Sequence, residues 1–280
     1  ARVAALNALA AMDAAELEDS VDGIDAEAPV ALRKRAIELL SKSAPEKAVP
    51  VLATLLDNGP LSEKQAAFKA LGDIKHESSA AVLLTWMRRL ETGKVPEGAQ
   101  LELLEAAAKH PDPSLRQLAA TYEAIAKQGG PLGPWRRSLE GGNPTAGRRI
   151  FFNNEATRCT RCHTLNGQGG NAGPVLDSIG KDKTRSYLLE SLITPSVAIA
   201  EGFGSTTVEL RNGTLLLGFV TKDQDGEITI VDINGKESRI TVGKIRSRSA
   251  NKDSAMPDVA GTLSKRQLRD LIAFLKRQKK

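Results

Sequence analysis

Two cysteines and one histidine hold the most specific chemistry in this 280-residue chain, in the run Cys159-Thr160-Arg161-Cys162-His163. No other cysteine is present, so a disulfide framework is excluded and one local thiol pair remains. Thiols three residues apart can reach the two vinyl groups on one side of a porphyrin, and a histidine at the next position is carried beneath the iron. This is the pattern of c-type haem attachment, with Cys159 and Cys162 as tethers and His163 as an axial ligand. Two rival readings fail on the residues. Structural zinc needs four ligands, and the remaining histidines, His76 and His110, lie in a helical region. A thioredoxin-like redox pair needs a βαβ context, and none is visible.

A histidine-bound iron keeps its sixth position open or finds a second ligand. Met256 sits in the loop Ser254-Ala255-Met256-Pro257, just ahead of the last helical segment. Met12 and Met87 fall on helical stripes, where methionine serves as core filler. Met256 is therefore the candidate sixth ligand; His–Met ligation raises the potential and suits electron transfer. His76 and His110 sit in loops between helices and read as solvated or capping residues. A backbone carbonyl at Gly173-Pro174 could accept from His163 Nδ1 and fix the ring, as partners of ligating histidines do. Pro174 thus joins Cys159, Cys162, His163 and Met256 as a candidate cofactor-binding residue.

The elements that must position these residues are legible from period and punctuation. Residues 1–128 read as successive helices. Val3, Leu6, Leu9 and Met12 form one stripe, and Leu32, Ala36, Ile37 and Leu40 another. Pro- or Gly-bearing joints separate them at Ser43-Ala44-Pro45, Asn58-Gly59-Pro60 and Pro111-Asp112-Pro113. Residues 36–56 align with 67–87, setting Val51, Leu52 and Thr54 on Val82, Leu83 and Thr85; a further shift sets Leu118, Thr121 and Tyr122 on Val82, Thr85 and Trp86. Repeating helix pairs of this size bury their faces by stacking, and the region resembles a HEAT-type α-solenoid. The Gly- and Pro-rich stretch 129–142 reads as a linker, with Trp135 as an anchor to one of the domains.

From Asn143 a new pattern begins. Asn143 is an N-cap and Pro144 a first helical residue, ahead of Ile150, Phe151 and Phe152. Residues 182–196 form a helix stopped before Pro195. Over 205–248 the period changes to two, with hairpin signals at Asn212-Gly213, Asp225-Gly226 and Asn234-Gly235. This predicts an antiparallel meander of four or five strands, able to curl into a small barrel. Ser264 and Gln267 form a capping box for a terminal helix whose buried stripe is Leu268, Leu271, Ile272 and Leu275. The expected architecture is mostly α: a helical-repeat domain over 1–128, a linker over 129–142, and a helical domain over 143–280 with a β insertion at 205–248.

The segments 139–180, 187–203 and 254–275 together resemble the cytochrome c domain of planctomycetes and verrucomicrobia. The shared features are a first helix bearing Gly147 and Phe151, C-x-x-C-H, Gly-Pro, Met-Pro and a terminal helix crossing the first. His163 and Met256 lie 93 residues apart, and removing the 44 residues of 205–248 leaves 49, so the meander reads as an insertion that this family carries. The resemblance implies one covalent haem c, an extracytoplasmic or periplasmic location, and electrons accepted from a dehydrogenase domain or partner. It makes the chain a non-catalytic electron-transfer module of a larger oxidoreductase system. A haem-based sensor or haem enzyme with a displaceable sixth ligand is the alternative.

Charge divides with the pattern. Residues 1–130 carry 15 basic and 19 acidic side chains, and residues 131–280 carry 24 and 15, together the formal +5. A change of sign at one point fits two domains with different surfaces. Arg148, Arg149, Arg158 and Arg161 cluster around the motif and would assist docking to an acidic redox partner. The helical repeats could dock a protein. Aromatics make up 4% of the chain and no nucleic-acid module is recognisable, so no nucleic-acid partner is expected. No apolar run reaches the roughly 20 residues that span a bilayer. The absence of a signal peptide and an alanine at position 1 read as a processed product or an excised fragment.

Overall fold

Proline or glycine stands at most helix boundaries of the first half, where it ends or begins a run of backbone hydrogen bonds, although Pro50 lies inside a helix. In the computed structural model, which describes residues 2–11, 28–232 and 235–280, the chain falls into two units, 1–129 and 130–280. Met12 and Asn234 lie outside the described residues.

The described helices of the first unit are α1 (Arg2–Ala11), α2 (Val30–Ser43), α3 (Pro45–Asn58), α4 (Leu61–Asp73), α5 (Glu77–Glu91), α6 (Glu97–Lys109) and α7 (Pro113–Gln128). The three joints predicted from Pro and Gly fall at the α2–α3, α3–α4 and α6–α7 boundaries. From α2 onward each helix packs on the next, and α2–α4, α3–α5, α4–α6 and α5–α7 also meet. The buried faces of Leu52, Leu56, Phe68, Leu71, Leu83 and Met87 form one continuous core. Phe68 and Trp86 meet edge to face at 5.4 Å. The aligned threonines behave alike: Thr54, Thr85 and Thr121 each donate to the carbonyl four residues back, at 3.0–3.1 Å. Among the described residues of this unit two carboxylates are buried, Glu63 and Glu102. Glu63 lies within the core and accepts from Arg33 Nε at 3.1 Å, which satisfies a charge that would be costly alone.

In the second unit, the stretch expected as a linker holds a 3-10 turn, Gly133–Ser138, and Leu132, Trp135 and Leu139 pack on the hydrophobic core of 130–280. Helix α8 (Pro144–Asn153) starts where the Asn143 side chain accepts from the amides of Thr145 (2.9 Å) and Ala146 (3.3 Å). It crosses the terminal helix α12 (Lys265–Leu275), whose Ser264–Gln267 capping box forms as the sequence indicates. Gly147 lies at the crossing. A Cβ there would collide with the Asp270 carbonyl, so only glycine lets the two backbones approach this closely. Phe151, Phe152 and Phe274 fill the space beside it, with centroids 5.0–6.3 Å apart. Three short helices complete the layer: α9 (Cys159–Cys162), α10 (Ile179–Asp182) and α11 (Arg185–Ile193), the last ending before Pro195.

Between α11 and α12 the chain forms five strands: β1 (Ser205–Leu210), β2 (Leu215–Gln224), β3 (Glu227–Val231), β4 (Glu237–Thr241) and β5 (Ile245–Ala250). All pair antiparallel, in the order β4-β3-β2-β1-β5. Asp225 and Gly226 both have positive φ, as the two-residue turn between β2 and β3 requires. Strands β4 and β5 lie on opposite edges, yet the three-residue 3-10 turn Val242–Lys244 is all that joins them. Three such residues span only about 6 Å. The sheet must therefore curl enough to bring the end of β4 to the start of β5, with Val208, Ile228, Ile230 and Ile240 inside. Because β1 pairs with β5, Thr206 opposite Ala250, the insertion leaves and rejoins the helical layer at one place. The helices around it can pack as though it were absent.

Candidate functional site

The motif turn is set by the residues on either side of it. After α8 the Asn154 side chain accepts from the amides of Ala156 (3.0 Å) and Thr157 (3.1 Å), which reverses the chain. Arg158 then adopts φ 44°, a left-handed conformation that costs a non-glycine residue roughly 1–2 kcal/mol. Its Nε donates to the Glu155 carbonyl at 2.8 Å. One helical turn follows, with His163 N–H donating to the Cys159 carbonyl at 3.0 Å, so both thiols and the imidazole sit on a single turn.

The next segment folds back over that turn. The Gly173 amide donates to the Cys162 carbonyl (2.8 Å) and the Leu176 amide to the Thr164 carbonyl (2.9 Å). This places the Pro174 carbonyl 2.9 Å from His163 Nδ1. A carbonyl can only accept, so Nδ1 bears the proton, and in the neutral ring Nε2 then keeps its lone pair, the form that binds a metal. A Cβ on Gly173 would stand 2.8 Å from the imidazole ring, which is why the chain can pass so close beneath it. Burial pushes the imidazole below its ordinary pKa, against the pull of the Pro174 carbonyl, and this favours the neutral ring. Burial likewise pushes both thiols above theirs, more than the Thr157 hydroxyl beside Cys159 or the Arg161 charge beside Cys162 can offset.

Cys159, Cys162, His163, Pro174 and Met256 all line one cavity of about 1260 Å³, its open mouth included. The rest of its wall is mainly carbon, with Phe151, Leu188, Leu192, Leu271 and Leu275 among the lining residues. Two thiols on one wall, a neutral imidazole held by its Nδ1 and a thioether in the same apolar space fit a tethered porphyrin. Met256 is half-buried, and its amide donates to Ser254 Oγ at 3.1 Å. The two other histidines are committed within the first unit. His76 caps α5 by accepting from the Ser78 amide, and buried His110 donates from Nε2 to the Ile74 carbonyl while its Nδ1 accepts from the Asp112 amide. No cluster of three metal-ligating side chains occurs among the described residues.

Residues not singled out from the sequence also form the wall. Tyr187 and Ser191, one turn apart on α11, supply polar lining, and Phe203 and Phe219 close the side next to the sheet. Phe219 had a signal: β2 opens Leu-Leu-Leu-Gly-Phe-Val, apolar at positions that would face both sides of a sheet. Among the described residues no helix is long and apolar enough to cross a membrane.

No curated protein matches the chain. The family model described as cytochrome c matches residues 144–214, from the start of α8 through the motif turn to the first β-hairpin. This likeness supports a c-type cytochrome domain within the second unit.

Proposed function

We propose that the chain is a single-haem c-type cytochrome that acts as an electron-transfer module outside the cytoplasm and accepts electrons from a dehydrogenase domain or partner. The observation that carries this reading is that both thiols, the His163 imidazole held at Nδ1 by the Pro174 carbonyl and the Met256 thioether line the same apolar cavity. Cys159 and Cys162 would tether the group by adding S–H across its vinyl bonds, so that no atoms are lost. His163 Nε2 would hold the iron from one side, with the Pro174 carbonyl fixing the ring. Met256 would close the other side. Haem c when bound supplies one-electron chemistry at iron; a thioether opposite an imidazole raises its potential, and a closed sixth position disfavours exogenous ligands.

The first unit would serve as a HEAT-like platform for a partner protein. Support comes from the order in which its helices pack and from the equivalent hydrogen bonds of Thr54, Thr85 and Thr121. The resemblance to the planctomycete and verrucomicrobial domain supports the dehydrogenase link and the location.

The test is direct. Purified protein should retain its haem through acid–acetone extraction, with a mass increase of one intact haem. Met256→Ala should abolish the weak long-wavelength charge-transfer band of thioether-ligated ferric haem, lower the potential and admit carbon monoxide. Free haem in the organic phase would end the covalent reading. An unchanged spectrum and potential in Met256→Ala would assign the sixth position to another residue.

A further inference from the structure

The sheet shares more than a border with the cavity. Val220 and Ile230 turn into the barrel, whereas the cross-strand pair Phe219 and Val231 turns out of it. There Phe219 and Val231 form a separate apolar cluster with Ala172, Cys162, Phe203 and Ala255. Phe219 is 5% exposed, and its ring lies 6.4 Å from that of Phe203. This cluster joins three segments: the motif turn through Cys162, the fold-back segment through Ala172, and the methionine loop through Ala255.

The methionine loop is also rooted in the barrel. Strand β5 ends at Ala250, six residues before Met256. The Asn251 amide donates to the Ser205 carbonyl at 2.9 Å, the Asn251 side-chain amide to Ser205 Oγ at 3.1 Å, and Ser205 Oγ to the Asp253 carbonyl at 3.2 Å. The far end is pinned where the Val259 amide donates to the Leu192 carbonyl at 3.0 Å. Between these anchors, the residue preceding Met256 rests in the Phe219 cluster.

We propose that Phe219 is a positioning residue for Met256: from the β insertion it wedges between the motif turn and Ala255 and keeps the methionine loop closed over the sixth position. The inference rests on the haem reading above. Loss of the ring would leave a void beside Ala255, and the loop would relax into it. Apparent affinity for an exogenous ligand scales with the fraction of molecules whose sixth position is open, so a loosened loop is read out as tighter binding.

The experiment compares holoprotein of the wild type, Phe219→Ala, Phe219→Leu and Ile228→Ala. Carbon monoxide affinity is measured in the ferrous state and the thioether charge-transfer band in the ferric state. Phe219→Ala should bind carbon monoxide about tenfold more tightly and weaken the band, while Phe219→Leu, which refills the void, stays within about twofold of wild type. Ile228 lies in the barrel interior and does not line the cavity. Ile228→Ala should lower the unfolding midpoint and leave affinity and band unchanged. Wild-type values in folded Phe219→Ala would overturn the proposal, and so would an equal change in Ile228→Ala. If Phe219→Ala fails to fold, Phe203→Ala opens the same cluster and carries the same two outcomes. A wild-type protein without covalent haem, or without the band, would instead refute the underlying haem or Met256 reading before any variant is compared.

Discussion

The two units solve the problem of a buried apolar interior in opposite ways. In the first, Phe68, Leu71, Leu83, Met87 and Leu103 meet one another, and the core is complete with protein alone. In the second, Phe151, Leu188, Leu192, Leu271 and Leu275 belong to the core and also line a cavity. Apolar surface that lines an open cavity lacks packing partners from the protein, which is unfavourable compared with a filled core. The first unit should therefore be stable in its own right, and the second should depend on what occupies it.

The largest effect should follow from preventing haem attachment. Cys159→Ser combined with Cys162→Ser should cost the second unit several kcal/mol, since a ligand held only by the folded state stabilises that state. Urea unfolding followed by limited proteolysis should show 130–280 lost early and 1–129 unmoved. A second unit as stable without haem as with it would break the comparison.

The converse experiment truncates the first core. Phe68 is fully buried against Trp86, and Phe68→Ala should destabilise the first unit by about 3–5 kcal/mol. The haem spectrum should stay that of wild type. A perturbed spectrum would show that the two units are coupled.

Gly147→Ala separates packing from cofactor within the second unit. The added methyl meets the Asp270 carbonyl, so α8 and α12 must move apart, at a cost of about 1–3 kcal/mol. Calorimetry of the holoprotein should show a lower Tm with covalent haem retained. An unchanged Tm would mean that the filled cavity, not the helix crossing, sets stability.

The smallest effect concerns charge, which also divides the halves. Arg148, Arg149, Arg158 and Arg161 are all exposed, and Arg158 lines the cavity. Electron transfer with an acidic redox protein should slow as ionic strength rises from low to physiological, because screening removes steering. A flat salt profile would mean that this basic face is merely solvated.

Much of this is legible in the sequence alone. The helix joints at Pro45, Gly59-Pro60 and Pro113, the Asn143 cap, the Ser264–Gln267 capping box and the Asp225-Gly226 turn are local devices. Each depends on residues a few positions apart, and sequence displays such neighbours directly. The thiol pair and His163 were legible for the same reason, since one helical turn carries all three. The pairing of β1 with β5 was not, because alternation reveals which face a residue takes but not which strand lies beside it. Trp135 was expected to anchor to one of the domains; that it packs, with Leu132 and Leu139, on the second unit's core was not legible, since a Gly- and Pro-rich stretch looks the same whether it spans or packs.

The sequence by itself determined the spacing of Cys159, Cys162 and His163 and the identity and ends of most helices, because these are matters of position within one or two turns. Tertiary structure alone decided that Met256, 93 residues from His163, lines the same cavity, and that Phe219 of the insertion packs in one cluster with Cys162 and Ala255. It decided this by returning β5 to the side of β1, which brings the methionine loop back to the motif turn. Residues so distant along the chain meet only when folding offsets the entropy of closing the loop between them, and no local pattern records where that closure falls.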